Sequence, residues 1–270
     1  QTEEGKIPVL NVVREAETRL YKANKPHGYG PISGNPDVDH YIQELLFGKD
    51  SEVIASKRAC TVQSLGGTGA IKLAADLLHV VLGKNKAATS APTWGNHNTI
   101  FKQAGYEVSH YRYYNKEAGT IDFDHLIGDI RALEAGTVVV LHACCHNPTG
   151  LDFSEEQWKT LLDVIVERGL TPLLDIAYQG FDKGLDEDAS SIRLFAKAGI
   201  SFLVSSSFSK SFSLYGERIG GLTVVTQNAD EAARVLSQVK QMARANYSNP
   251  PLYGAALVAT VLGDPKLRAE

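Results

Sequence analysis

Lys210 follows the serine run Ser205-Ser206-Ser207 at the end of an apolar stretch, where its amine would be partly desolvated. A desolvated lysine is a nucleophile toward carbonyl carbons, whereas a fully solvated loop lysine is chemically idle. Gly66-Gly67-Thr68-Gly69 leads straight into an apolar-periodic segment. Free backbone N–H groups and the helix dipole would favour a phosphate at such an entry, and a plain turn is the other reading. Asp175 closes a further apolar run, with Tyr178 three residues on. A carboxylate there must meet a cation or several donors, either in a structural ion pair or at a ligand, since α/β sheets bind ligands at the C-terminal ends of their strands.

Two other chemistries compete for the same residues. Ser207 and Lys210 match the S-x-x-K spacing of serine-lysine acyl hydrolases, but the companion sequences S-D-N and K-T-G occur nowhere in the chain. His142-Ala143-Cys144-Cys145-His146 combines imidazole and thiol groups that zinc favours. His142, Cys144 and His146 would share a face only along a regular strand, and Asn147-Pro148-Thr149-Gly150 forces a turn. No metal is therefore expected.

The elements that must position these groups alternate. From about residue 60 onward, strand and helix patterns follow one another, the signature of a largely parallel sheet covered by helices. Residues 69–82 carry Ile71, Ala74, Ala75, Leu78, Val81 and Leu82 at helical spacing before Gly83, a C-terminal cap. Residues 137–141 and 171–174 read as strands buried on both faces. Between them, Ser154 and Gln157 have capping-box spacing at the head of a helix that runs to Gly169. Residues 201–207 and 219–226 read as strands and 229–245 as a helix. The first 50 residues are less regular, and 26–31 is loop. No linker or repeat interrupts this order, so residues 1–270 read as one domain.

Composition narrows the function. With 43% hydrophobic and 21% charged residues, the 270-residue chain falls in the ordinary globular range. A net charge of −4 gives no reason to bind nucleic acid. Three cysteines without C-x-x-C spacing fit a reducing cytoplasm, and no apolar run approaches the roughly 20 residues of a membrane helix. The chain opens at Gln1 and stops at Glu270 in a helical pattern, which reads as a fragment.

Taken together, residues 61–70, 144–150, 175–181, 207–210 with 214–218, and 246–251 resemble class I aminotransferases of the aspartate and aromatic amino acid branch, in the family's order and spacing across essentially the whole chain. The resemblance implies the large domain of a fold-type I, pyridoxal 5'-phosphate-dependent transferase, an α/β structure with a mostly parallel seven-stranded sheet flanked by helices. It makes Lys210 the Schiff-base lysine and proton shuttle. It sets Asp175 on the pyridine nitrogen, Tyr178 and Asn147 on the ring oxygen, and Gly67, Thr68, Ser207 and Arg218 around the phosphate. Trp94 would stack on the ring with His97 behind Asp175. Tyr29 and Arg244 would reach a neighbouring subunit's site, Tyr29 at its phosphate and Arg244 at the distal carboxylate of its substrate, which implies a homodimer.

The same resemblance implies amino transfer between an aromatic amino acid, or aspartate, and 2-oxoglutarate. A modest lean toward bacterial aromatic enzymes comes from residues 65–69 and 211–221; a strict aspartate enzyme and an inert cofactor-binding module are the alternatives. The family's segment before Lys6 and its C-terminal small domain, which carries an arginine for the substrate α-carboxylate, are missing from the chain, so activity is expected of the parent protein.

Overall fold

A computed structural model describes residues 5–270. The main sheet contains β1 (Ala59–Leu65), β2 (Lys86–Ala91), β3 (Glu107–Arg112), β6 (Val138–His142), β7 (Thr171–Ile176), β8 (Phe202–Ser207) and β9 (Ile219–Val225), while β4 (Tyr114–Asn115) and β5 (Thr120–Ile121) pair separately. The helices are α1 (Asn11–Ala23), α2 (Pro36–Phe47), α3 (Glu52–Ala55), α4 (Gly66–Leu82), α5 (Gly95–Gln103), α6 (Phe123–Arg131), α7 (Glu155–Glu167), α8 (Ser190–Lys197), α9 (Ala229–Tyr247), α10 (Tyr253–Gly263) and α11 (Pro265–Ala269). Among the described residues no helix is long and apolar enough to cross a membrane.

The seven strands lie in the order β1-β9-β8-β7-β6-β2-β3. All adjacent pairs are parallel except those of β9, which runs antiparallel to both β1 and β8. The expected mostly parallel sheet of seven strands is thus the observed one. Its strands are apolar on both faces because helices cover both. Along β6, Val139 and Leu141 enter the core beneath α1, α2, α6, α7, α8 and α10, and Val138 and Val140 enter the core beneath α4, α5 and α9.

Local chemistry sets the helix limits. The capping box at Ser154 is present, with both reciprocal hydrogen bonds to Gln157. Gly83 ends α4 at φ +65°, as a C-terminal glycine should. Two expectations need correction. The helix expected from Gly69 begins at Gly66, because the glycines join its first turn rather than precede it. The first 50 residues hold α1 and α2, the latter started by the Asn35 side chain on Asp37 N at 2.9 Å and by Pro36.

The parallel topology matters for the site. The C-terminal ends of β1, β2, β6, β7 and β8 lie along one edge of the sheet, and the reversed β9 starts at that same edge. Close backbone packing there depends on Gly220. A Cβ at that position would sit 2.5 Å from Ser206 O and from Gly66 C, backbone atoms that cannot yield. Gly220→Ala should therefore lower unfolding stability by about 1–3 kcal/mol or more. Urea unfolding of the variant checks this, and an unchanged midpoint would contradict the packing.

Candidate active site

Each expected group arrives from a different element at this common edge. Gly67 and Thr68 open α4 after β1; Trp94 precedes α5 after β2; Asn147 follows β6; Asp175 and Tyr178 end β7. Ser207 and Lys210 end β8, and Arg218 stands just before β9. All nine line one cavity of about 230 Å3, together with His142, Cys144, Cys145, Tyr215 and others. Tyr29 and Arg244 lie outside it, Tyr29 at 94% exposure and Arg244 exposed near the end of α9.

Asp175 is 9% exposed, and its Oδ2 lies 2.9 Å from His97 Nε2. Burial pushes the carboxyl up. The His97 hydrogen bond and charge, the nearby His142 and the Ser205 hydroxyl outweigh burial and hold it below the usual carboxylate range. The β7 register explains these neighbours, since Asp175 sits opposite His142 on β6 and Ser205 on β8.

Behind His97 runs a chain of hydrogen bonds. Asn147 N–H donates to His142 Nδ1 at 3.3 Å. Burial, then His146 and His97, hold the His142 pKa down at about 3, so the ring is neutral and its proton sits on Nε2. That Nε2 donates to Thr93 Oγ1 at 3.1 Å, and Thr93 Oγ1 also hydrogen-bonds His97 Nδ1 at 2.9 Å. His97 Nε2 faces Asp175 Oδ2 and donates to it. The arrangement keeps a single negative charge on Asp175, directed at the cavity.

At another wall, the Lys210 amine sits 5.5 Å from the centre of the Tyr178 ring and 5.9 Å from that of Tyr215. Burial, then Tyr215, Cys145 and Asp175, raise the Tyr178 pKa, so its phenol keeps its proton and donates. Trp94 packs edge-on against His97 with centroids 5.2 Å apart. Arg218 donates to Tyr215 O at 2.8 Å, to Ser209 Oγ at 3.4 Å and to Leu65 O at 3.4 Å, and among the described residues no carboxylate pairs with it. The α4 N-terminus beside it has no side-chain cap. A Cβ on Gly67 would lie 3.3 Å from Ser207 Cβ and 3.6 Å from Ser205 Oγ, so glycine keeps the amides accessible. A cation, uncapped amides and hydroxyls form an anion cradle. Arg218 and Cys145 hold left-handed backbone at φ +54° and +50°, a conformation costing non-glycine residues about 1–3 kcal/mol each and concentrated at functional sites.

The competing chemistries fare poorly against this geometry. Ser207 Oγ accepts from Ser209 N at 3.2 Å, and among the described residues no hydrogen bond joins it to Lys210. β6 stops at His142, so His142, Cys144 and His146 do not share a strand face. His146 instead bonds Ser90 Oγ at 2.9 Å and Thr149 Oγ1 at 2.8 Å, and among the described residues no group of His, Cys, Asp or Glu is arranged to hold a metal ion. Sequence reading missed Thr93 and Ser205. Thr93 lies four residues before His97, but nothing local distinguishes it from a surface threonine.

The sequence model of the family described as "Aminotransferase class I and II" matches residues 1–270. An aspartate aminotransferase of Pseudomonas aeruginosa is 53% identical over 267 residues, spanning 99% of this chain and 67% of that protein. An aromatic-amino-acid aminotransferase of Escherichia coli is 48% identical over 271 residues, 99% of this chain and 68% of that protein. Among solved structures, an aromatic-amino-acid aminotransferase of Burkholderia pseudomallei, covalently bound to pyridoxal phosphate, superposes with a TM-score of 0.98 at 52% identity, covering 100% of this chain and 67% of that one.

The Asp175 pair gives a signed pH prediction. With its folded pKa below its unfolded value of about 3.9, ionised Asp175 adds stability above that pH and loses it on further acidification. In His97→Phe burial is unopposed by that partner, the folded pKa rises, and ionising Asp175 becomes destabilising as pH increases. Denaturant unfolding from pH 4 to 8 should show the variant losing stability relative to the parent as pH rises. A constant difference between the two would contradict the pairing.

Proposed function

Because the chain belongs to the class I and II aminotransferases, we propose that it is the cofactor-binding large domain of a pyridoxal 5'-phosphate-dependent transaminase that moves an amino group between an aromatic amino acid, or aspartate, and 2-oxoglutarate. One observation carries the reading: a nucleophilic amine, a buried carboxylate held ionised and an anion cradle line a single small cavity. The three suit the aldehyde, the ring nitrogen and the phosphate of that cofactor respectively.

Each residue then has a task. Lys210 would hold the cofactor through its aldehyde and, once displaced by substrate, its amine would take up and return the proton of the substrate Cα. Asp175 keeps the ring nitrogen protonated, and His97 keeps Asp175 charged. When bound, the cofactor supplies the electron sink that stabilises negative charge at Cα. Tyr178 and Asn147 donate to the ring oxygen, Trp94 covers the ring face, and Gly67, Thr68, Ser207 and Arg218 bind the phosphate.

Tyr29 and Arg244, exposed and outside the cavity, fit residues that serve a second copy of this chain, Tyr29 at its phosphate and Arg244 at the distal carboxylate of its substrate. A homodimer follows from that reading, and three free cysteines without C-x-x-C spacing favour the cytoplasm. The 53% identity to an aspartate aminotransferase favours a strict aspartate enzyme as the second reading.

Borohydride reduction of the cofactor-loaded protein, followed by peptide mass spectrometry, should place the reduced adduct on Lys210 and abolish visible absorbance. An adduct on another lysine, or on Ser207, would overturn the assignment. For substrate choice, Arg244→Ala should raise the KM for aspartate by roughly 30-fold or more while phenylalanine changes by less than about threefold, since only the dicarboxylate leaves a charge unpaired. Equal losses would contradict the role of Arg244.

A further inference from the structure

Gln63 touches neither the cavity nor any group assigned to chemistry, yet it is fully buried and uses its polar groups to join distant segments. It lies on β1, the edge strand, paired inward with Gly221 of β9. On the outer edge its N–H donates to Ser33 O at 2.8 Å and its carbonyl accepts from Tyr247 OH at 3.3 Å. The side chain splits the same way: Oε1 accepts from Asn35 N at 2.9 Å, and Nε2 donates to Pro251 O at 2.8 Å. One arm therefore grips the segment just after Tyr29. The other grips the segment just after Arg244.

The close fit of these segments is visible in two glycines. Gly34 has φ +97°, and a Cβ there would fall 2.2 Å from Gln63 Cβ. Gly30, next to Tyr29, would put a Cβ 2.4 Å from Leu252 Cδ2, so the Tyr29 loop packs directly on the chain that follows Pro251. We infer that Gln63 is a positioning residue that couples the Tyr29 loop to the end of the Arg244 helix, so that cofactor retention and dicarboxylate recognition in the neighbouring copy are set by one buried amide. The inference rests on the reading of Tyr29 and Arg244 given above.

The amide's two ends make the coupling separable. Gln63→Leu removes both arms. Gln63→Glu keeps an acceptor for Asn35 N–H and, once ionised, has no donor for Pro251 O, so the Arg244 arm alone is released at a pH above the pKa of the new carboxyl, whereas the protonated carboxyl can still donate to Pro251 O. Loss of a buried hydrogen bond at either arm should be read as at least about a fivefold change. Gln63→Leu should raise both the cofactor dissociation constant and the KM for aspartate relative to phenylalanine, and speed amide hydrogen exchange in residues 24–35 and 246–252 of the cofactor-free protein. Gln63→Glu should raise the aspartate KM and speed exchange only in 246–252, with cofactor affinity near that of the parent. If Gln63→Leu fails to fold, the Gln63→Glu pattern decides alone.

Identical effects of Gln63→Glu on both segments and both affinities would overturn the two-arm coupling, as would no effect on either. Arg244→Ala and Tyr29→Phe are measured alongside. If Arg244→Ala raises the aspartate KM while the Gln63 variants do not, the Gln63 inference alone fails. If Arg244→Ala leaves that KM unaltered, the Arg244 assignment fails and the inference falls with it.

Discussion

A carboxylate sealed at the end of a central strand is tolerated only with partners that favour its charge, and here the hydrogen bond from His97 to Asp175 supplies the main one. The rest of the site is arranged around that requirement. His97 is oriented toward Asp175 by its hydrogen bond to Thr93, which also bonds His142, and His142 is fixed in turn by a backbone N–H of residue 147. A charge facing the cavity thus derives its orientation from the turn that closes β6. The same turn brings Asn147 to the cavity wall.

Sheet topology explains why so many separate segments meet. Six strands end at one edge, and β9 begins there because it alone is reversed. The Lys210 amine, the Arg218 cation and the α4 N-terminus therefore come from the β8, β9 and β1 side, and the negative Asp175 from β7. A cofactor carrying phosphate at one end and a basic ring nitrogen at the other suits that separation of charge. Packing that lets the backbones converge depends on glycine at 220, where a Cβ would strike the backbone of Gly66 and Ser206.

Much of this was legible in residue types. Lys210, Asp175 and the glycines at 66–69 stand where strand and helix patterns change, and such junctions are where α/β sheets place ligand groups. The capping box at 154–157 and the glycine at 83 were readable because their signals are local. Pairings between distant partners carry no local signal: His97 meets Asp175 across 78 residues and is placed there only by the family resemblance, and Gln63 meets Pro251 across 188 and was not foreseen. The reversal of β9 was hidden for a different reason, since a strand apolar on both faces reads alike in either direction. Its cause is the 208–218 connection, which holds no α-helix to carry the chain over the sheet. In the early chain, the helix start at Asn35-Pro36-Asp37 carried no distinct signal because proline and asparagine serve turns as well as helix starts.

The account stands on Asp175 being ionised and facing a protonated ring nitrogen. Nitrogen-15 NMR of the protein loaded with cofactor labelled at that nitrogen tests this directly. The ring nitrogen should resonate as a protonated pyridinium coupled to its proton at neutral pH, and should lose that signature in Asp175→Ala. An unprotonated nitrogen in the parent protein, or the same spectrum in both, would contradict the central claim.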